Sequence, residues 1–135
     1  MESVPKTLNW VKARAECSID FLFETLVQVI DSDVKAIQSY DSPRRHVFQF
    51  NRVNEWKVIV SRTSHSGERA SRSVVFERGG SEIIVTVYNA RGERSELFTA
   101  RPSFDAAGAC RLEIKSQPLE LWQVSRKALE DLFFS

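Results

Sequence analysis

Residues 73–88 constrain the fold of this chain more than any other stretch, because two runs of β-branched and aromatic residues flank Gly79-Gly80. A two-residue Gly-Gly loop suits the primed turns of β-hairpins, since those turns need positive φ and glycine adopts it without steric cost. Apolar residues alternate before and after the loop, as is typical of strands. The stretch therefore predicts an antiparallel hairpin from which a sheet extends.

The same period of two predicts four further strands, at about residues 46–53, 56–62, 95–100 and 110–115. In the second of these, Trp56, Val58 and Val60 share one face. In the last, Leu112 and Ile114 alternate with charged residues, which is typical of a strand with one buried and one solvated face. Turns and two longer loops, at about residues 62–72 and 102–108, connect the strands, so the sequence predicts six strands in an antiparallel meander.

Helical patterns flank the strands at both ends of the chain. From Leu8 to Ile37, apolar residues recur at steps of three and four. This length is unusual for one globular helix, so we expect a break near Cys17-Ser18 or at residues 31–33. A final helix is predicted to open at Gln117-Pro118.

These elements predict a single α+β domain over residues 1–135. Its parts are an N-terminal helical segment, a six-stranded antiparallel meander and a C-terminal helix, with the helices packed on one face of a curved sheet. This arrangement is similar to that of helix-grip ligand binders in architecture alone, because no motif in the chain matches one.

A curved sheet that grips helices can enclose a cavity, which suggests a small-molecule carrier or enzyme with an apolar or acidic ligand. One arginine would anchor the acid. Large aromatic side chains would form the wall, and the candidates are Trp56, Phe76, Tyr88 and Trp122. The alternative interpretation makes the same aromatics anchors of the core.

Positive charge is concentrated in residues 44–78, which carry 8 basic and 3 acidic side chains, a net charge of +5. Residues 1–43 carry 4 basic and 7 acidic side chains, a net charge of −3. An anion or nucleic-acid contact would use the arginines of the middle segment, namely Arg44, Arg45, Arg62, Arg69 and Arg72. The overall pI of about 7.8 favours solvated charges instead.

The sequence contains no visible catalytic constellation. His46 and His65 lack carboxylate or cysteine partners at the spacing that a metal site or a general base needs. Asp31 and Asp33 lie two positions apart on a helix and do not face each other. We therefore expect no metal and no cofactor, and a non-enzymatic role is favoured over an enzymatic one.

Self-association is the first functional hypothesis. Phe133 and Phe134 are adjacent on the last predicted helix, and two neighbouring aromatics cannot both face the same core. One of them should meet another subunit or stay exposed. The sequence thus predicts a binding domain that forms a homodimer or meets a protein partner through surplus apolar surface on this helix or on an edge strand.

Cys17 and Cys110 stand in apolar patterns without metal-binding spacing, so we expect buried reduced thiols rather than a disulfide. The N-terminal stretch lacks the unbroken apolar core of a secretory signal. No segment approaches the roughly 20 apolar residues of a membrane span. The expected location is cytoplasmic, without membrane attachment.

Overall fold

A computed structural model describes residues 9–40, 46–64 and 71–135. Two helices, α1 (Trp10–Glu16) and α2 (Ile19–Tyr40), precede the strands. The strands are β1 (His46–Asn54), β2 (Lys57–Ser64), β3 (Arg72–Gly79), β4 (Glu82–Tyr88), β5 (Arg94–Phe104), β6 (Cys110–Ile114) and β7 (Gln117–Leu119). Helix α3 (Leu121–Phe134) follows. The α+β class and the antiparallel meander are confirmed.

The sheet has seven strands in the order β1-β2-β3-β4-β5-β6-β7, one more than the sequence predicts. Residues 117–119 were expected to open the last helix, and they form β7 instead. Lys115 and Ser116 both have positive φ, 51° and 67°, and turn the chain back antiparallel to β6. A turn of this kind normally contains glycine or asparagine. Lys115-Ser116 contains neither, so the sequence does not predict this turn.

The predicted hairpin is confirmed, with Gly80 at φ 61° and Phe76 opposite Val85. The expected break in the N-terminal helical segment lies between α1 and α2, at Cys17-Ser18. There the Ser18 hydroxyl accepts a hydrogen bond from the Phe21 N–H, which satisfies an orphan donor of the new helix. The other expected breakpoint, residues 31–33, lies within α2.

The helices cover one face of the sheet and bury its apolar side chains. Fully buried residues of the sheet include Val58, Phe76 and Val85, which are neighbours across β2, β3 and β4. Phe23 and Leu26 of α2 complete this layer without measurable exposure. The residues of this core come from α2, α3 and the strands together. None of the helices in the described ranges is long and apolar enough to cross a membrane.

The prediction that both cysteines are reduced thiols is wrong, because Cys17 and Cys110 form a disulfide with a Cα–Cα distance of 5.5 Å. The bond joins the α1–α2 junction to the first residue of β6. Trp56 also differs from expectation. It lies in the turn between β1 and β2, where 45% of its surface is exposed, rather than on the buried face of β2.

Candidate functional site

An apolar groove is lined by residues of α2 and α3. We call it the helix groove. Its volume is about 590 Å³, and its lining comprises Asp33, Ala36, Ile37, Tyr40, Trp122, Ser125, Arg126, Leu129, Glu130, Phe133 and Phe134. Three aromatic side chains dominate its exposed surface, with Tyr40 82%, Trp122 54% and Phe134 74% exposed. Exposed aromatic surface on this scale is typical of interaction sites.

The packing of α3 against α2 positions these aromatics. The Ser125 hydroxyl, itself buried, donates a 2.6 Å hydrogen bond to the Asp33 carboxylate of α2. Phe133 packs edge-to-face on Phe48 of β1 at 5.3 Å, and Phe134 follows it with its ring centroid at 6.2 Å. Phe133 is half-buried and Phe134 is exposed, so the prediction that one of the two stays outside the core is confirmed.

The charged residues that line the helix groove are Asp33, Arg126 and Glu130, so its net charge is small, at −1. Arg126 contacts Glu130 one turn further along α3 at 3.3 Å, and Lys35 contacts Asp31 on α2 at 3.2 Å. Asp33 is held by Ser125. Exposed pairs of this kind contribute little to stability, but they leave the groove without a strong field of either sign. The surface therefore suits an apolar partner better than a highly charged one.

The four aromatic residues predicted to line one cavity lie in separate places. Phe76 is fully buried in the middle of the core. Trp56 lies in the β1–β2 turn, Tyr88 is the last residue of β4, and Trp122 lies in the first turn of α3. Tyr88 and Trp122 line two different grooves. The hypothesis of an interior cavity needs Phe76 as a wall residue, but this side chain is already packed in the hydrophobic core.

Two of the five arginines predicted to contact an anion hold the end of α3. Arg62 donates hydrogen bonds to the carbonyl oxygens of Leu132 and Ser135, at 3.0 and 2.9 Å. Arg72 forms a 2.7 Å ion pair with Asp131 and donates to the Ser135 hydroxyl. Cations satisfy the unpaired carbonyls of a helix C-terminus and complement its dipole. Both guanidinium groups are thereby engaged within the molecule.

Arg62 and Arg72 also lie directly opposite each other across β2 and β3. Burial lowers the pKa of Arg62 from its ordinary value, the neighbouring Arg72 lowers it further, and Asp131 opposes the change. The acidic and carbonyl groups of α3 therefore offset the repulsion between two cations in register. The remaining predicted residues, Arg44, Arg45 and Arg69, lie outside the described residues, so anion or nucleic-acid binding stays a prediction.

A second pair of arginines contacts α2 at the opposite end of the strands. Arg52 of β1 donates to the Glu24 carboxylate through its two terminal guanidinium nitrogens, and Arg78 of β3 pairs with Asp20 at 2.7 Å. The hydrogen bond from Arg52 is the main cause that lowers the pKa of Glu24, and burial opposes it. These two ion pairs connect α2 to β1 and β3.

A second groove, of about 490 Å³, lies where α3 crosses the ends of β3, β4 and β5. It brings together Tyr88 and Arg72 of the predicted site residues and adds Arg94 and Lys127. Asp131 and Glu93 also line it, so its positive charge is partly neutralised. This groove is a weaker candidate for an acidic small molecule.

Groups of three or more histidine, cysteine, aspartate or glutamate residues that could hold a metal are absent from the described residues. Comparison with protein families, curated proteins and solved structures finds no match to this chain. Sequence reasoning named Trp122 as a wall of a ligand cavity or a core anchor, expected one of Phe133 and Phe134 to be exposed, and did not single out Tyr40. Tyr40 continues the three-and-four spacing of α2 after Ile37, one step beyond the buried face, and that spacing was the available signal.

Proposed function

We propose that this chain is a non-enzymatic interaction domain that self-associates through the helix groove. The observation that supports the proposal is the exposure of Tyr40, Trp122 and Phe134 along one apolar groove. Water contact with large aromatic surface is unfavourable by roughly 25 cal/mol per Å². A second copy brings an identical apolar surface, and a two-fold interface buries both at once.

The paired charges beside the groove support a homotypic contact. An isologous interface places equal patches of two subunits together, so a groove with strong net charge would repel itself. Here Arg126 and Glu130 pair on α3, and Asp33, which accepts a hydrogen bond from Ser125, leaves the groove with a net charge of only −1. Aromatic residues at the centre with polar groups around them are typical of the buried core and rim of interfaces.

Trp122 and Trp56 provide a matched pair of variants. Trp122 lies in the helix groove and Trp56 in the β1–β2 turn, and they are 54% and 45% exposed. Covering the exposed part of one tryptophan contributes about 2–3 kcal/mol, or roughly 30- to 150-fold in Kd. We expect sedimentation velocity to show a reversible dimer of the unmodified chain at micromolar concentration, weakened by Trp122→Glu and unchanged by Trp56→Glu. A monomer throughout the concentration series, or equal effects of the two variants, would contradict the proposal.

The groove at Tyr88 supports a second candidate function, the binding of a small acidic ligand. Arg94 and Lys127 would supply charge and Tyr88 an apolar ring with a hydroxyl. Titration with a series of dicarboxylates, followed by amide NMR shifts, tests it. Shifts confined to the Tyr88 groove and lost in Lys127→Ala support this function, whereas no saturable shift refutes it.

The cytoplasmic location expected from the sequence stays a prediction. The Cys17–Cys110 bond weighs against a cytoplasmic location, because disulfides persist in oxidising compartments, whereas most cytosols keep cysteine thiols reduced. Alkylation of thiols in freshly lysed cells, followed by mass analysis, distinguishes the two cases. Two alkylated cysteines would favour the cytoplasm, and none would favour an oxidising compartment.

A further inference from the structure

Helix α1 lies outside the hydrophobic core. The structure describes all seven of its residues and buries none of them, and Trp10 and Val11 are 70% and 58% exposed. Its side-chain interactions within the described residues are local, because the Asn9 side chain accepts a hydrogen bond from the Lys12 N–H and the Lys12 ammonium pairs with Glu16. A helix of this length is marginal in water unless tertiary contacts hold it. The order of α1 therefore depends on the residues that attach it to the rest of the molecule.

Cys17 is the residue that attaches α1 to the core. It is the C-cap of the helix, and its backbone N–H donates to the Ala13 carbonyl oxygen at 3.1 Å. Its side chain is buried, and its sulfur is bonded to that of Cys110, the first residue of β6. The last turn of α1 is thus joined to the sheet by a covalent bond. Without this bond, the chain at Ser18 would be the one covalent connection between α1 and the core.

Helix α3 provides a contrast within the same molecule. It buries Val124, Ala128, Leu129 and Leu132, which all belong to the hydrophobic core. Packing of an apolar face, rather than helix propensity, stabilises most helices in proteins. Because α3 contributes its own share of the core, loss of the disulfide should leave this helix ordered.

The disulfide lies within reach of a reductant. A groove of about 490 Å³ is lined by Cys17 together with Arg14 of α1 and Phe104 of β5. Cys110, the other half of the bond, is partly exposed. Exchange with a thiolate depends on access to one of the two sulfur atoms. The groove and the exposed part of Cys110 supply that access.

We propose that the Cys17–Cys110 disulfide is a redox switch that controls the order of α1. In the oxidised protein, the bond holds the C-terminal end of α1 at β6. When a dithiol reduces the bond, the two thiols of the reductant join in a disulfide, and two electrons and two protons pass to Cys17 and Cys110, which become thiols. Helix α1 then unfolds while the sheet, α2 and α3 stay folded. This inference is independent of the proposed self-association.

Amide hydrogen exchange, measured by mass spectrometry on the complete chain, tests the switch. Three states are compared, namely the oxidised protein, the protein in excess dithiothreitol and the variant Cys110→Ala. The variant removes the bond but keeps the Cys17 side chain, so it separates covalent attachment from burial of Cys17. Peptides from α3 serve as the internal control, and circular dichroism verifies that the core stays folded.

We expect the amides of α1 to exchange at least about tenfold faster in the reduced protein and in Cys110→Ala than in the oxidised protein, while α3 stays protected in all three states. Reoxidation with oxidised dithiothreitol should restore the protection of α1 in the unmodified chain and leave the variant unchanged. Equally fast exchange of α1 in the oxidised protein would overturn the proposal, because the bond would then not order the helix. Protection of α1 that persists after reduction or in Cys110→Ala would also overturn it, and so would loss of protection in α3 together with α1.

Discussion

Removal of the Cys17–Cys110 disulfide should destabilise this protein strongly. The bond spans 93 residues of sequence, and so restrains most of the unfolded chain. In the chain-entropy description, a loop of this length stabilises the folded state by about 4.6 kcal/mol at 25 °C. That is a large fraction of the roughly 5–15 kcal/mol that separates folded from unfolded domains.

The measurement compares oxidised protein with protein kept in excess dithiol reductant, so that no side chain changes. Urea unfolding followed by circular dichroism gives the free energy of unfolding in each state. We expect the reduced protein to lose about 4–5 kcal/mol, and its melting temperature to fall by roughly 15–20 °C. Titration of free thiols in denaturant should find none before reduction and two after it.

The double variant Cys17→Ala/Cys110→Ala separates loss of the cross-link from effects of the reductant. It should resemble the reduced protein, with a small further loss because Cys17 is buried at 3% exposure. A decrease below about 1 kcal/mol on reduction, with the thiol titration confirming that the bond was present, would refute the reasoning from chain entropy. It would mean that the unfolded chain is already compact where the bond lies.

Three further predictions concern single residues. Arg62→Gln should destabilise the protein by about 1.5–3 kcal/mol, because two carbonyls at the end of α3 lose a charged donor. Urea unfolding measures this change in the free energy of unfolding. The pKa of Glu24 lies below its ordinary value of 4.5, because Arg52 binds the ionised carboxylate. This contact stabilises the fold fully at pH values above the unfolded-state pKa, and the stabilisation is lost as the pH falls through the lower, folded-state pKa. Acid unfolding should accordingly be shallower in Glu24→Gln, and an unchanged pH profile would contradict this assignment. Thr86→Val should stabilise the protein by about 1 kcal/mol, because the buried Thr86 hydroxyl has no hydrogen-bond partner in the described part of the chain. A lower urea midpoint for this variant would contradict that reasoning.

Local periodicity predicted most of the fold. Strands with one buried face repeat every two residues, so Val58, Val60, Val85 and Leu112 were placed on the buried face from sequence. Trp56 fits the same alternation but lies in the turn. Its spacing from Val58 was correct, and the turn simply begins later than the composition of residues 51–55 suggests. Alternation identifies faces well and the ends of strands poorly.

Features that depend on long-range proximity could not be predicted in this way. Nothing near Cys17 in sequence indicates that β6 passes within 5.5 Å of its Cα atom. The helix groove likewise requires α2 and α3 to lie side by side, although their residues Asp33 and Ser125 are 92 positions apart. Phe133 and Phe134 indicated surplus apolar surface but not its position. The sequence thus predicted the kind of candidate site and not its geometry.

The distribution of charge along the chain has an internal explanation. The basic residues 44–78 suggested an external anion, yet four of their arginines lie on the helix-facing side of the sheet, at Arg52, Arg62, Arg72 and Arg78. Each occupies a position in register with core residues or with another arginine, near a strand end where the guanidinium group can reach a helix. Their partners include Asp20 and Glu24 from the acidic first segment.

Opposite charge on successive segments of a chain therefore need not indicate a ligand. A meander places every strand within reach of the same helix layer, so cations at strand ends and anions on the flanking helices meet on folding. The arginine side chain suits this task, because it pairs with a carboxylate through two nitrogens, as Arg52 does with Glu24. With these cations engaged on the helices, the exposed aromatic side chains of the helix groove are the surface through which we propose self-association.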